Sequence, residues 1–285
     1  MADKLMTFGE HLGELRTRLL YCVYALLGCT LVAYYFSDFL FVLLAQPLIR
    51  AWSEAGLGQP RLHFANPIEP FFTYMKIALI GGVFFASPII FYQLWKFVAP
   101  GLYKHEKKYV VPFSFVSGLL FIGGGSFGYF VVFPLAFRFF LGFARTNMGA
   151  MEKLLGGAVK VSVQQKFDLT PVLMMGEYFS LVWKLLLAFG VVFELPLLLL
   201  AFSLIGVVSY KTLWRFNRYF IIIAFVLAAL LTPGPDVISQ VLMAVPLIVF
   251  YNLSILLSFL FFRRRERRKA AAEAAAAAEG ETPEK

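Results

Sequence analysis

The chain has 285 residues, 60% of them hydrophobic and 18% aromatic against 15% charged, with a mean hydropathy of +0.76. A sequence this apolar cannot close around one water-facing core, so lipid is its solvent and an ordinary soluble enzyme is excluded. The formal charge of +9 is not a nucleic-acid signal: its densest part, RRRERRK at 263–269, directly follows an apolar stretch and reads as a cytoplasmic stop signal that attracts anionic lipid.

In chain order, acids and bases continue as far as Arg18, and an apolar run follows that is too long for a signal-peptide core and has no small-residue cleavage site behind it. It predicts a retained first span at 19–36. Cys22 and Cys29 lie seven apart on it, on one helix face but too distant to bridge, and read as lipid-facing or packing thiols. Further runs of about 20 residues predict spans at 71–98, 109–137, 178–205, 214–231 and 237–262. Residues 1–262 would thus form one six-helix membrane domain, followed by a basic, then Ala/Glu-rich tail at 263–285 that starts helical and ends disordered.

Span lengths are uneven. The third run is overlong, bracketed by Pro112 and Pro134, and predicts a tilted or kinked rod. Within it FIGGGSFGYF sets Gly124 and Gly128 four apart, a spacing for close helix packing and not for a nucleotide loop. The strictly apolar part of the fifth run, 219–231, would reach only about 20 Å as helix, short of the roughly 30 Å hydrocarbon layer. The sixth is interrupted by Pro246 and Asn252. Counted by alternate connection, with the tail taken as far as its basic run, Lys and Arg number sixteen on the side of both termini and seven on the other, so the positive-inside rule places both ends in the cytoplasm.

The charges inside or beside the spans carry the functional argument. Glu194, in AFGVVFELPLLLL, costs at least about 2.5–3.5 kcal/mol on insertion scales, so it must face protein or water or carry a proton. Asp236 follows the turn TPGP and predicts an N-cap for the sixth helix, with Gln240 one turn further in. Glu14 in HLGELRTRLL and Glu106 in APGLYKHEKKYVVP stand just outside apolar runs on the cytoplasmic side, among lysines and arginines. They are either solvated interfacial charges or one patch able to take two guanidinium groups by paired bonds, which lysine cannot imitate. His11, His63 and His105 lack metal spacing, and no hydrolase, metalloprotease or nucleotide motif is present. No catalytic residue, metal or cofactor is expected. The sequence leaves open a proton-coupled transporter, with Glu194 and Asp236 relaying protons, or a structural scaffold.

Seven ordered blocks, HLGELRTRLL, NPIEPFFTYMKIAL, ASPIIFYQLWKFVAPGLYKHEKK, YFVVFPLAF, FGVVFELPL, RYFIIIAFVLAALLTP and PDVISQVLMAVPL, closely resemble the TatC family, the multispanning subunits of the twin-arginine protein translocase. The resemblance covers residue 11 to about 262. It implies an all-α membrane protein of six transmembrane helices, N-in and C-in, in a concave cup-like bundle with short fifth and sixth helices. It implies a non-enzymatic receptor in the bacterial inner membrane. That receptor would bind Arg-Arg signal peptides of folded cargo, join TatA- and TatB-like single-span subunits and further copies of itself, and use the proton motive force. By the same resemblance Glu14 and Glu106 form the twin-arginine site, Leu19 and Phe97 support it, and Glu194, Gln240 and Asp236 make intramembrane polar contacts with a partner. The long 138–176 connection, with an amphipathic stretch, and the extra residue in TPGPD depart from the family pattern.

Overall fold

A chain surrounded by hydrocarbon must satisfy its backbone internally, and a single segment does so only as a helix. The computed structural model describes residues 8–56, 59–98, 110–138, 141, 172–205, 208–231 and 237–280. The helices are α1 (Phe8–Tyr35), α2 (Ser37–Glu54), α3 (Glu69–Val98), α4 (Val110–Phe127), α5 (Met175–Ile205), α6 (Tyr210–Leu231) and α7 (Val237–Gly280). Among the described residues six helices are long and apolar enough to cross a membrane: α1, α3, α4 with its continuation to Arg138, α5, α6 and part of α7.

Four of the spanning helices, α1, α3, α5 and α6, begin earlier than the apolar runs, because hydrogen bonding continues through polar residues. α1 starts eleven residues before Leu19, and α6 starts at Tyr210, four before the predicted boundary. In the third span a π-helical turn, Gly128–Val132, stands ahead of Pro134. Pro134 cannot donate to the carbonyl four residues back, and a widened turn is one way to absorb that loss. Gly124 and Gly128 are both buried, and a Cβ on Gly128 would lie 3.0 Å from the Phe189 ring of α5. The amphipathic stretch of the long connection, the TPGPD turn and the end of the tail lie outside the described residues.

α2 was not anticipated. Its buried residues, Leu44, Ala45, Pro47, Leu48, Ala51 and Trp52, fall on one helical stripe that packs against α3. Pro47 sits inside it and has no N–H for the Leu43 carbonyl. The Tyr129 hydroxyl donates to that oxygen instead, at 2.6 Å, and the Tyr178 hydroxyl donates to the next carbonyl, Leu44, at 2.7 Å. The same substitution occurs in α3, where Pro88 frees the Phe84 carbonyl and Ser87 Oγ donates to it at 2.8 Å.

The chain divides into two compact units, with α1 to α4 and the first part of α5 in one, and the rest of α5, α6 and α7 in the other. In the first, α1 and α3 cross so closely at Thr30 and Gly82 that a Cβ on Gly82 would lie 2.8 Å from the Thr30 Cα. Trp95 Nε1 donates to Ser117 Oγ at 2.8 Å, a buried bond that fixes α3 against α4. A two-residue parallel pairing, β1 (Leu62–His63) with β2 (Leu173–Met174), joins two connections. In the second unit, α6 and α7 pack through Phe220 stacked on Tyr251, with ring centroids 3.9 Å apart. Asn217 Nδ2 donates to Asn252 Oδ1 at 3.0 Å. Asn252, which interrupts the sixth run in sequence, thus joins an interhelical pair.

Candidate recognition site at one end of α1 and α3

His11, Glu14 and Arg18 are the half-buried positions in an otherwise exposed first stretch of α1. Their spacing of three and four puts them on one face, and this stripe continues through Cys22 and Cys29 to buried Ala33, facing α3. Both cysteines are free thiols on that packing face. α3 contributes Gln93 and Phe97, one turn apart, while Trp95 between them points to the opposite side, toward α4. The Trp95–Ser117 bond therefore sets the rotation of α3 that presents Gln93 and Phe97 to α1.

Phe97 stacks on the His11 ring with centroids 4.5 Å apart and planes 16° from parallel. Arg18 Nη2 donates to Glu14 Oε1 at 3.0 Å, and its Nη1 donates to Gln93 Oε1 at 3.1 Å. The Arg18 and Glu14 side chains are 19% and 17% exposed. Glu14 Oε2 and Arg18 Nε are buried with no hydrogen-bond partner among the described residues. The arrangement is a carboxylate that already holds one guanidinium by a single bond and keeps a second acceptor oxygen.

The other expected site residues are distributed differently. Leu19 is 61% exposed, beside this cluster in sequence but off its inward face. Glu106, and with it His105, lies outside the described residues, as does Asp236. Glu194 is buried in α5 at 7% exposure, as the cost of placing a carboxylate in lipid requires. Gln240 is half-buried near the start of α7. Sequence alone does not mark Arg18 and Gln93 as site residues; the i, i+4 spacing of Glu14 and Arg18 is the available signal for the first, while Gln93 is 75 residues away from Arg18.

At the opposite end of α3, Glu69 forms a second polar centre. Its Oε2 accepts from the Ala65 N–H and its Oε1 from the Gly176 N–H, both at 2.7 Å. The carboxylate thereby fills an orphan donor in the first turn of α5. A Cβ on Gly176 would lie 2.6 Å from Oε1, so any larger residue here would displace the carboxylate. The β1–β2 pairing is formed by the residues just before these two helix starts.

Six apolar helices and a buried intramembrane carboxylate define a multi-pass α-helical membrane protein. The family model for Sec-independent protein translocase protein (TatC) matches residues 10–246. The TatC protein of Desulforapulum autotrophicum is 43% identical over 249 residues, covering 87% of this chain and 83% of its own length. That of Aquifex aeolicus is 40% identical, covering 89% and 95%. A crystal structure of the twin-arginine translocase receptor TatC superposes with a TM-score of 0.71 at 39% identity, covering 88% of this chain and 99% of that one. The chain belongs to the TatC family, and is a component of a protein translocase and not an enzyme.

Proposed function

We propose that this chain is the receptor of a twin-arginine translocase and captures Arg-Arg signal peptides with Glu14 on α1 and Glu106 in the segment after α3. The observation that carries the reading is the state of Glu14: one oxygen holds a guanidinium at 3.0 Å while the other, buried, has no partner among the described residues. A buried acceptor left unmatched costs about 1–3 kcal/mol, which a ligand's N–H recovers. Arginine suits it because its planar fork delivers two parallel bonds to a carboxylate. Glu106 is assigned by family resemblance. Exposed Leu19 and the His11-stacked Phe97 supply apolar surface beside the carboxylate for the signal's apolar segment.

The remaining roles follow from the same reading. Glu194, Gln240 and Asp236 make intramembrane polar contacts with the helices of TatA- and TatB-like single-span subunits, roles assigned by the family resemblance. The protein resides in a bacterial inner membrane with both termini cytoplasmic, assembles with further copies of itself, and serves export driven by the proton motive force. The test is binding of an Arg-Arg signal peptide to purified protein in lipid nanodiscs. Glu14→Gln combined with Glu106→Gln abolishes it with thermal stability retained; binding at normal affinity in that variant removes the assignment.

A further inference from the structure

Arg18 occupies the same carboxylate that the proposed function assigns to a ligand, and the manner of that occupancy is informative. A guanidinium gripping a carboxylate at full strength makes two parallel N–H···O bonds. Arg18 makes one. Its Nη2 goes to Glu14 Oε1, its Nη1 is diverted to Gln93 Oε1 on the neighbouring helix, and Nε and Glu14 Oε2, the pair a second bond would use, are both buried without partners among the described residues. Because Arg18 is one turn along the same helix, it cannot diffuse away, so every cation reaching Glu14 competes with a permanent resident.

We propose that Arg18 is an internal competitor at Glu14, held in a one-bond grip by Gln93, and that this competition sets the preference for arginine over lysine in the bound peptide. An incoming guanidinium that offers a fork gains a bond relative to what Arg18 already provides. An incoming ammonium offers no such fork, matches the resident without improving on it, and is refused. A carboxylate without Arg18 would attract both cations, and the strongly hydrated ammonium would be discriminated against only weakly. Gln93 completes the device: with its acceptor in place, Arg18 is turned away from the two-bond geometry, and Oε2 stays unpaired among the described residues.

The inference rests on the proposed role of Glu14, and its predictions for two neighbours of that carboxylate have opposite signs. In nanodiscs, fluorescence anisotropy is measured with a labelled Arg-Arg signal peptide and its Lys-Lys counterpart. Arg18→Gln removes the competitor, so affinity for the Arg-Arg peptide rises by up to about fivefold, the span of one such ion pair. Affinity for the Lys-Lys peptide rises more, so the ratio between them falls. Arg18→Lys restores a resident cation and brings both affinities back toward wild type. Gln93→Met keeps the side-chain length but loses the acceptor. Arg18 then closes on Glu14 with two bonds and Arg-Arg affinity falls. A merely structural role for the cluster would weaken binding in all three variants together. Should Arg18→Gln fold poorly, the Gln93→Met and Arg18→Lys pair carries the same contrast. Unchanged or reduced Arg-Arg affinity in Arg18→Gln, with Glu14→Gln still abolishing binding, overturns the competitor and leaves the site. Normal binding in Glu14→Gln overturns the site itself.

Discussion

At the scale of single residues, two glycines separate packing from propensity. A Cβ added at Gly82 would sit 2.8 Å from the Cα and 2.9 Å from the backbone nitrogen of Thr30, atoms that no rotamer change can move. Gly82→Ala must push α1 and α3 apart, and overpacking of this kind costs about 1–3 kcal/mol. Gly123 is also helical, on α4, but a Cβ there meets nothing within 4 Å. Gly123→Ala is expected to leave thermal stability in detergent unchanged or raised, since alanine is the better helix former, while Gly82→Ala lowers it. Equal effects would mean that the α1–α3 crossing is not set by this contact. Because Arg18, which holds Glu14, reaches Gln93 across the same helix pair, Gly82→Ala is also expected to weaken signal-peptide binding.

Elements show where sequence reasoning reached and where it stopped. Spans were legible because a run of about 20 apolar residues has few alternatives to a membrane helix, and Glu194 was legible as a buried acid because its flanks leave it nowhere polar to go. α2 was not, because it follows the first span after one residue, and Pro47 in its middle argued against a helix interior. What sequence could not supply was the remedy, a tyrosine hydroxyl from 86 residues away reaching the carbonyl that proline leaves unserved. This account predicts coupling. Tyr129→Phe strands the Leu43 carbonyl and costs about 1–2 kcal/mol of stability, in the range of intramembrane hydrogen bonds. Pro47→Ala restores the helical N–H to that carbonyl, so in its background Tyr129→Phe costs markedly less. Additive losses in the double mutant would show that the hydroxyl and the proline act independently.

At the scale of the molecule, the two polar centres of α3 carry the orientation argument. Glu69 and Gln93 are 24 residues apart on one helix, about 36 Å at 1.5 Å per residue, more than the roughly 30 Å of hydrocarbon. The Glu69 centre and the Glu14–Arg18–Gln93 cluster therefore emerge at opposite surfaces of the membrane. Neither was fully legible in sequence: Glu69 meets Gly176 across 107 residues, and Arg18 meets Gln93 across 75. On the proposed orientation, in which the side richer in Lys and Arg (sixteen against seven) is cytoplasmic, the cluster would face the cytoplasm and Glu69 the outside. Cysteine labelling tests this directly in a background of Cys22→Ala and Cys29→Ala. Gly9→Cys lies at the start of α1, where an added Cβ meets nothing within 4 Å, and Gln59→Cys lies at an exposed position ahead of β1. A membrane-impermeant maleimide added to spheroplasts is expected to label Gln59→Cys at once and Gly9→Cys only after the membrane is opened. The reverse order would put Glu14 on the outer surface, where a signal peptide arriving from the cytoplasm could not reach it, and the capture step would have no place to occur.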